Sequence, residues 1–157
     1  MKVLGIDPGY GRCGVAILEG NAQNSRLIHS ACIETSVALP FSERLTAVLD
    51  ECQRLLHAFN PDEVAMEKLY FSTNQKTAMQ VAEVRGALLG LAGQLRIPLS
   101  EYSPSQVKNA AAGWGGADKK QVVKMLHLLI KIDKDIEHDD EYDAIAVGLT
   151  HLAHRGR

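Results

Sequence analysis

Residues 3 to 18, VLGIDPGYGRCGVAIL, place an aspartate where a buried strand would otherwise simply continue. Val3, Leu4, Gly5 and Ile6 form the short apolar run that fills a central strand, and Pro8-Gly9 with Gly11 ends it in a tight turn. Cys13 to Leu18 return as a second strand, so the pair reads as a hairpin. A carboxylate at the end of such a strand is costly unless a cation or several donors compensate it. Asp7 is therefore either a ligand for a metal or a phosphate-bound metal, or a cap that accepts from the amides of its own Asp-Pro-Gly turn.

A GIDPG opening of this type also suits sugar kinases and chaperone ATPases, but 157 residues are too few for their two facing domains. The length predicts one domain, residues 1–157, with a real core. No apolar run approaches the roughly 20 residues of a membrane span, and Met1-Lys2 leads straight into a strand rather than a signal peptide. Cys13, Cys32 and Cys52 are odd in number and lack a CxxC pair, which argues against a disulfide framework and a zinc site. The cytoplasm is the expected location. A formal charge of -2 does not advertise a nucleic-acid binder, yet it turns positive if four carboxylates are set aside for metal ions.

Leu27 to Thr35 suits a third antiparallel strand. The spacing of Leu45, Val48, Leu49, Leu55, Leu56 and Phe59 predicts a helix over 42–59, with Ser42 as its N-cap and Asn60-Pro61 as its stop. Glu63 to Glu67 is a short strand, parallel to its neighbour because a helix precedes it. Lys68 to Lys76 reads as an exposed loop with adjacent aromatics, followed by a helix over 77–95 that carries Gly86, Gly90 and Gly93. Glycines at that spacing imply close approach of another backbone, either the chain's own sheet or a second subunit. Ile97 to Tyr102 is a fifth strand. Ser103 with Gln106 and Asp118 with Gln121 are capping pairs for helices ending near Ala112 and Lys131, separated by the flexible Gly113-Trp114-Gly115-Gly116. A last helix contains DDEYDAIAVGLTHLAH. The order predicts an α/β, ribonuclease-H-like fold, a five-stranded mixed sheet flanked by helices.

Asp140 and Asp143 lie three residues apart and share one face of the last helix's first turn, where the helix dipole alone already favours acids. Asp7 and Glu67 fall at the carboxyl ends of strands that should be neighbours, the edge where open α/β sheets bind ligands. Four unpaired carboxylates together repel one another, and cations offset this. Oxygen-only ligands favour magnesium or manganese over zinc, and two such ions suit phosphodiester hydrolysis.

GIDPG with Asp7, Glu67 followed by an aromatic loop, QVK at Gln106 to Lys108, GWGGADKKQV at Gly113 to Val122, and DxxDAxAVGLTH from Asp140 together resemble the RuvC family of Holliday-junction resolvases. The resemblance runs from end to end in one order. It implies a homodimer that nicks opposed strands of a four-way DNA junction symmetrically during recombination and repair. It assigns the catalytic and metal-binding acids to Asp7, Glu67, Asp140 and Asp143, with Mg2+ as cofactor, Mn2+ as substitute and two ions per site. Some members carry a histidine at the third position; here it is Asp140, with His138 nearby as helper or bystander. Tyr70 matches the junction-stacking aromatic, with Phe71 beside it able to share the role, since a base stacked on an aromatic ring is worth ~1 to 3 kcal/mol. Lys108 and Lys119 match functional lysines that reach DNA, whereas Lys120 and Lys124 read as a solvated face. RuvA and RuvB, the branch-migration proteins, are implied partners.

Two other readings compete. A YqgF-like RNA-processing nuclease shares the opening hairpin but not the aromatic loop or the GWGGADKKQV segment, and a non-catalytic junction-binding scaffold would lack a carboxylate. His151 and His154 are expected only to complement the dipole of the last helix.

Overall fold

The computed structural model describes residues 1–69 and 75–155. Five strands, β1 (Lys2–Asp7), β2 (Arg12–Gly20), β3 (Ser25–Glu34), β4 (Glu63–Glu67) and β5 (Leu99–Tyr102), form one sheet in the order β3-β2-β1-β4-β5. β1, β2 and β3 pair antiparallel, while β1 with β4 and β4 with β5 are parallel. The helices are α1 (Phe41–Phe59), α2 (Gln75–Gln94), α3 (Pro104–Ala112), α4 (Lys119–Leu129) and α5 (Asp139–Arg155). The mixed sheet flanked by helices is the expected architecture. Among the described residues, no helix is long and apolar enough to cross a membrane.

The two-residue period of a strand sends alternate side chains to opposite faces, and each face has its own core. Leu4, Ile6, Val15, Ile17, Val64 and Met66 pack with Val48, Cys52 and Leu55 of α1 and with Val84 and Leu88 of α2. Val3, Ala16, Leu18 and Ala65 pack on the other face with Ala144, Ile145, Val147 and Leu152 of α5 and with residues of α3 and α4. Asp7 shares the parity of Val3 and Gly5, and Glu67 that of Ala65, so both acids belong to the α5 face. β1 and β4 are in register at Ile6 and Met66, which brings Asp7 and Glu67 to the same sheet edge.

Small residues let α5 lie almost on the strands. A Cβ on Gly14 would stand 1.8 Å from the Asp140 carbonyl oxygen, and one on Gly5 would stand 2.4 Å from the Ala144 carbonyl oxygen. The i, i+4, i+8 row Asp140, Ala144, Gly148 therefore rides directly over β1 and β2, and the sheet fixes the height of the helix that carries the two aspartates.

Both capping pairs form as reciprocal boxes: Ser103 with Gln106 at α3, and Asp118 with Gln121 at α4. α1 differs at its start, because Pro40 occupies the cap position with no side-chain cap bond and Ser42 lies inside the helix, where its carbonyl accepts from the Thr46 hydroxyl. Asn60 ends α1 in the left-handed conformation, as the sequence stop implies. The glycines of α2 do not approach the sheet: among the described residues, a Cβ at Gly86, Gly90 or Gly93 would meet nothing within 4 Å.

Candidate active site

Three elements deliver the four acids. β1 and β4 present Asp7 and Glu67 from neighbouring strand ends, and the first turn of α5 supplies Asp140 and Asp143. A cleft of about 230 Å³ contains Glu67, Asp143, Lys108 and Lys119, and a second of about 200 Å³ contains Asp7 and Glu67 beside Arg85. Glu67 lines both, so it stands at the centre of the arrangement.

The electrostatics record the crowding. Burial, then repulsion from Asp143, Glu67 and Asp140, pushes the Asp7 carboxyl well above the ordinary carboxylate range, with only Lys119 opposing. Glu67 rises to about 7, mainly through burial and then the Asp143 charge, against the pull of Lys108 and Lys119. Asp143 is also raised by burial, in spite of its hydrogen bond from Lys119. Acids that resist ionisation for this reason are acids for which a bound cation is favourable.

Among the described residues, no three His, Cys, Asp or Glu side chains stand close enough to hold one ion. Basic side chains lie beside the α5 acids. Lys119 donates from Nζ to Asp143 Oδ2 at 2.9 Å and lies 3.3 Å from Asp139 Oδ2. Arg12 Nε lies 3.4 Å from Asp140 Oδ2 on another flank of the cluster. The protein's own cations thus contact the α5 acids. The donor set, all oxygen and mutually repelling, fits a hard divalent ion once these side chains yield.

The sequence marks the four acids, Lys108 and Lys119, and the structure brings all six around the two clefts and the helix turn between them. Tyr70 and Phe71 lie outside the described residues. Arg12 carries no signal in the sequence, because a lone arginine in a hairpin has none until the fold sets it against Asp140. His138 touches Arg12 and Glu34. His151 departs from its expected surface role: it is fully buried, with Nδ1 3.0 Å from the Tyr102 hydroxyl and Nε2 3.2 Å from Glu63 Oε2. Periodicity places position 151 on the row of Asp143 and Val147, which faces the sheet, so the helix pattern held the signal that the histidine's chemistry obscured.

The family model described as crossover junction endodeoxyribonuclease RuvC matches residues 3–151. The chain belongs to the RuvC family. A crossover junction endodeoxyribonuclease RuvC from Thermosipho melanesiensis is 44% identical over 147 residues, covering 94% of this chain and 94% of the relative. One from Petrotoga mobilis is 42% identical over 151 residues, covering 96% of this chain and 93% of the relative. Among solved structures, T. thermophilus RuvC in complex with a Holliday junction substrate superposes with a TM-score of 0.92 at 32% identity, covering 99% of this chain and 95% of that one. The yeast mitochondrial Holliday junction resolvase Ydc2, at 18% identity and a TM-score of 0.70, shares the fold. The RuvC match spans every element from β1 to α5, including all four acids.

Proposed function

We propose that this chain is a metal-dependent Holliday-junction resolvase, hydrolysing phosphodiesters in opposed strands of a four-way DNA junction. The observation that carries the reading is the convergence of Asp7, Glu67, Asp140 and Asp143, from three elements, on one end of the α5 face of a RuvC-family fold. These four residues would hold the ions, magnesium with manganese as substitute and two per site. When bound, such ions supply a polarised water and neutralise charge that develops on the phosphate and the leaving oxygen.

The chain's own groups supply orientation. Glu67, shared by both clefts, is placed to bridge the Asp7 and Asp143 sides of the site. Lys119, seated on Asp143 in the cleft that holds both lysines, would offer its ammonium to a phosphate oxygen of the cut strand. Lys108, in the same cleft, adds a second positive charge toward the backbone of the cut strand.

A homodimer supplies the second cut. The glycine face of α2 meets no backbone of its own chain, and Met79 and Leu89 on the same helix are 69% and 41% exposed. A second copy of α2 satisfies both the open glycines and the exposed apolar side chains, and family membership extends the partners to RuvA and RuvB.

The test offers purified protein and magnesium a labelled four-way junction beside the matching linear duplex, with EDTA and Asp7→Asn as controls. Paired symmetric nicks confined to the junction, and lost in both controls, are expected. Binding without nicking in magnesium and manganese would favour the scaffold reading, and indifference to the junction would overturn it in favour of an RNA substrate.

A further inference from the structure

Arg12 opens β2, away from α4 and its Lys119. Besides Nε near Asp140, its Nη1 lies 3.1 Å from His138 Nδ1, and His138 Nε2 lies 3.1 Å from Glu34 Oε1. One tautomer satisfies both histidine contacts. Arginine only donates, so Nδ1 accepts from Arg12 and Nε2–H donates to Glu34. The ladder sets this chain of contacts, because Arg12 and Glu34 are direct partners in the antiparallel pairing of β2 with β3.

The result is an oriented guanidinium that is not put away. Its side chain remains 53% exposed, and an exposed ion pair of this kind contributes little to folding. The His138 contact uses one of the five N–H donors of an arginine, Asp140 is an ion-pair neighbour, and the free donors suit a phosphate group, which the planar fork can engage at two oxygens. The setting supplies the reason for such a ligand. DNA brings negative charge to a site already crowded with carboxylates, and Lys119 offsets this only on the α4 flank.

We propose that Arg12 is a DNA-phosphate-binding residue at the Asp140 rim of the site, held in position by His138 and Glu34. The proposal rests on the junction-nuclease reading above. A phosphodiester over the β2–β3 side of the site would be engaged by the free donors of the guanidinium while the His138 contact holds it in place.

The experiment measures equilibrium binding of a fluorescent four-way junction to the full chain, in calcium to suppress cleavage, across a salt series. Wild type, Arg12→Gln and Arg12→Lys are compared, with thermal melting as a check on folding. Arg12→Gln is expected to weaken binding about tenfold and to reduce the slope of log affinity against log salt by about 0.9 for each phosphate contact removed. Arg12→Lys should restore the slope but only part of the affinity, because lysine keeps the charge and loses the fork. A rearrangement confined to Asp140 would leave the slope unchanged, so a wild-type slope in Arg12→Gln overturns the proposal while the junction reading stands. A wild-type protein that binds the duplex as tightly as the junction overturns that reading, and this proposal with it.

Discussion

Lys119 ties the first residue of α4 to the first turn of α5, its Nζ lying 2.9 Å from Asp143 Oδ2 across 24 residues of sequence. Burial works against the ammonium charge, but the hydrogen bonds to Asp143 and Asp139 outweigh it and hold Lys119 above its ordinary pKa. The lysine thus stays charged at any pH at which the protein works. Lys119→Met should lower the single-turnover cleavage rate by about 10- to 100-fold, the range for loss of one charged group that stabilises a transition state. Sedimentation should match that of the wild type. Unaltered kinetics on a preassembled junction would return the residue to the surface.

Asp7→Asn separates stability from activity. The native carboxylate is buried beside Asp143, Glu67 and Asp140, so its charge costs folding free energy when no cation is bound. The amide keeps the shape without the charge. In EDTA the variant should melt higher than wild type, while cleavage in magnesium is abolished and junction binding persists. An equal or lower melting temperature in EDTA would show that Asp7 is compensated within the protein itself.

Glu67 gives the pH dependence a sign. Its folded pKa of about 7 lies above the ordinary glutamate value of 4.5, so the folded state binds the proton more tightly than the unfolded chain. Below pH 4.5 both states are protonated and Glu67 adds no penalty. Between there and pH 7 the penalty grows, and above pH 7 it is complete, at roughly 3 kcal/mol before solvent screening reduces it. His151 acts oppositely, since burial lowers its pKa and its contribution is lost as pH falls below 6.5. The difference between wild type and Glu67→Gln removes the His151 contribution. Denaturant melts in EDTA should show that difference shifting in favour of Glu67→Gln from pH 4.5 to 8, and a flat difference would mean that Glu67 is not strained by its neighbours. Magnesium should abolish most of the trend.

The acids were legible because each broke a local rule: Asp7 and Glu67 end apolar strands, and Asp140 and Asp143 repeat at helical spacing on an otherwise apolar face. Strand parity then brings them together without further information. The capping boxes at Ser103 and Asp118 were equally plain, since both depend on contacts only three residues long. What escaped was set by distant partners. Arg12 acquires a role only opposite Asp140 and His138, more than 120 residues away, and His151 is buried because Tyr102 and Glu63 receive its ring. The Ser42 cap failed for a local reason, as Pro40 starts the helix earlier without needing a side-chain acceptor. The α2 glycines left two explanations open, and the empty space around them removes the chain's own sheet as the neighbour.

Gly14 and Gly86 offer a paired test of how the sheet positions the chemistry. A methyl group on Gly14 would stand 1.8 Å from the Asp140 carbonyl oxygen and 2.4 Å from its carbonyl carbon, and neither backbone atom can rotate away. Gly14→Ala must therefore lift the first turn of α5 from β2. Overpacking of this kind costs about 1–3 kcal/mol, and a displacement near 1 Å of catalytic groups costs on the order of 100-fold in rate. The variant should stay folded, with the wild-type oligomeric state, at low temperature but cleave about 100-fold more slowly, with weakened metal binding by calorimetry. Gly86→Ala should behave inversely. Nothing lies within 4 Å of its methyl group, so the helix gains about 0.5–1 kcal/mol of propensity while any second copy packed on that face is pushed away. Raised monomer stability with a weakened dimer would mark the α2 face as the interface, whereas an intact dimer would move that interface elsewhere and leave the Gly14 prediction untouched.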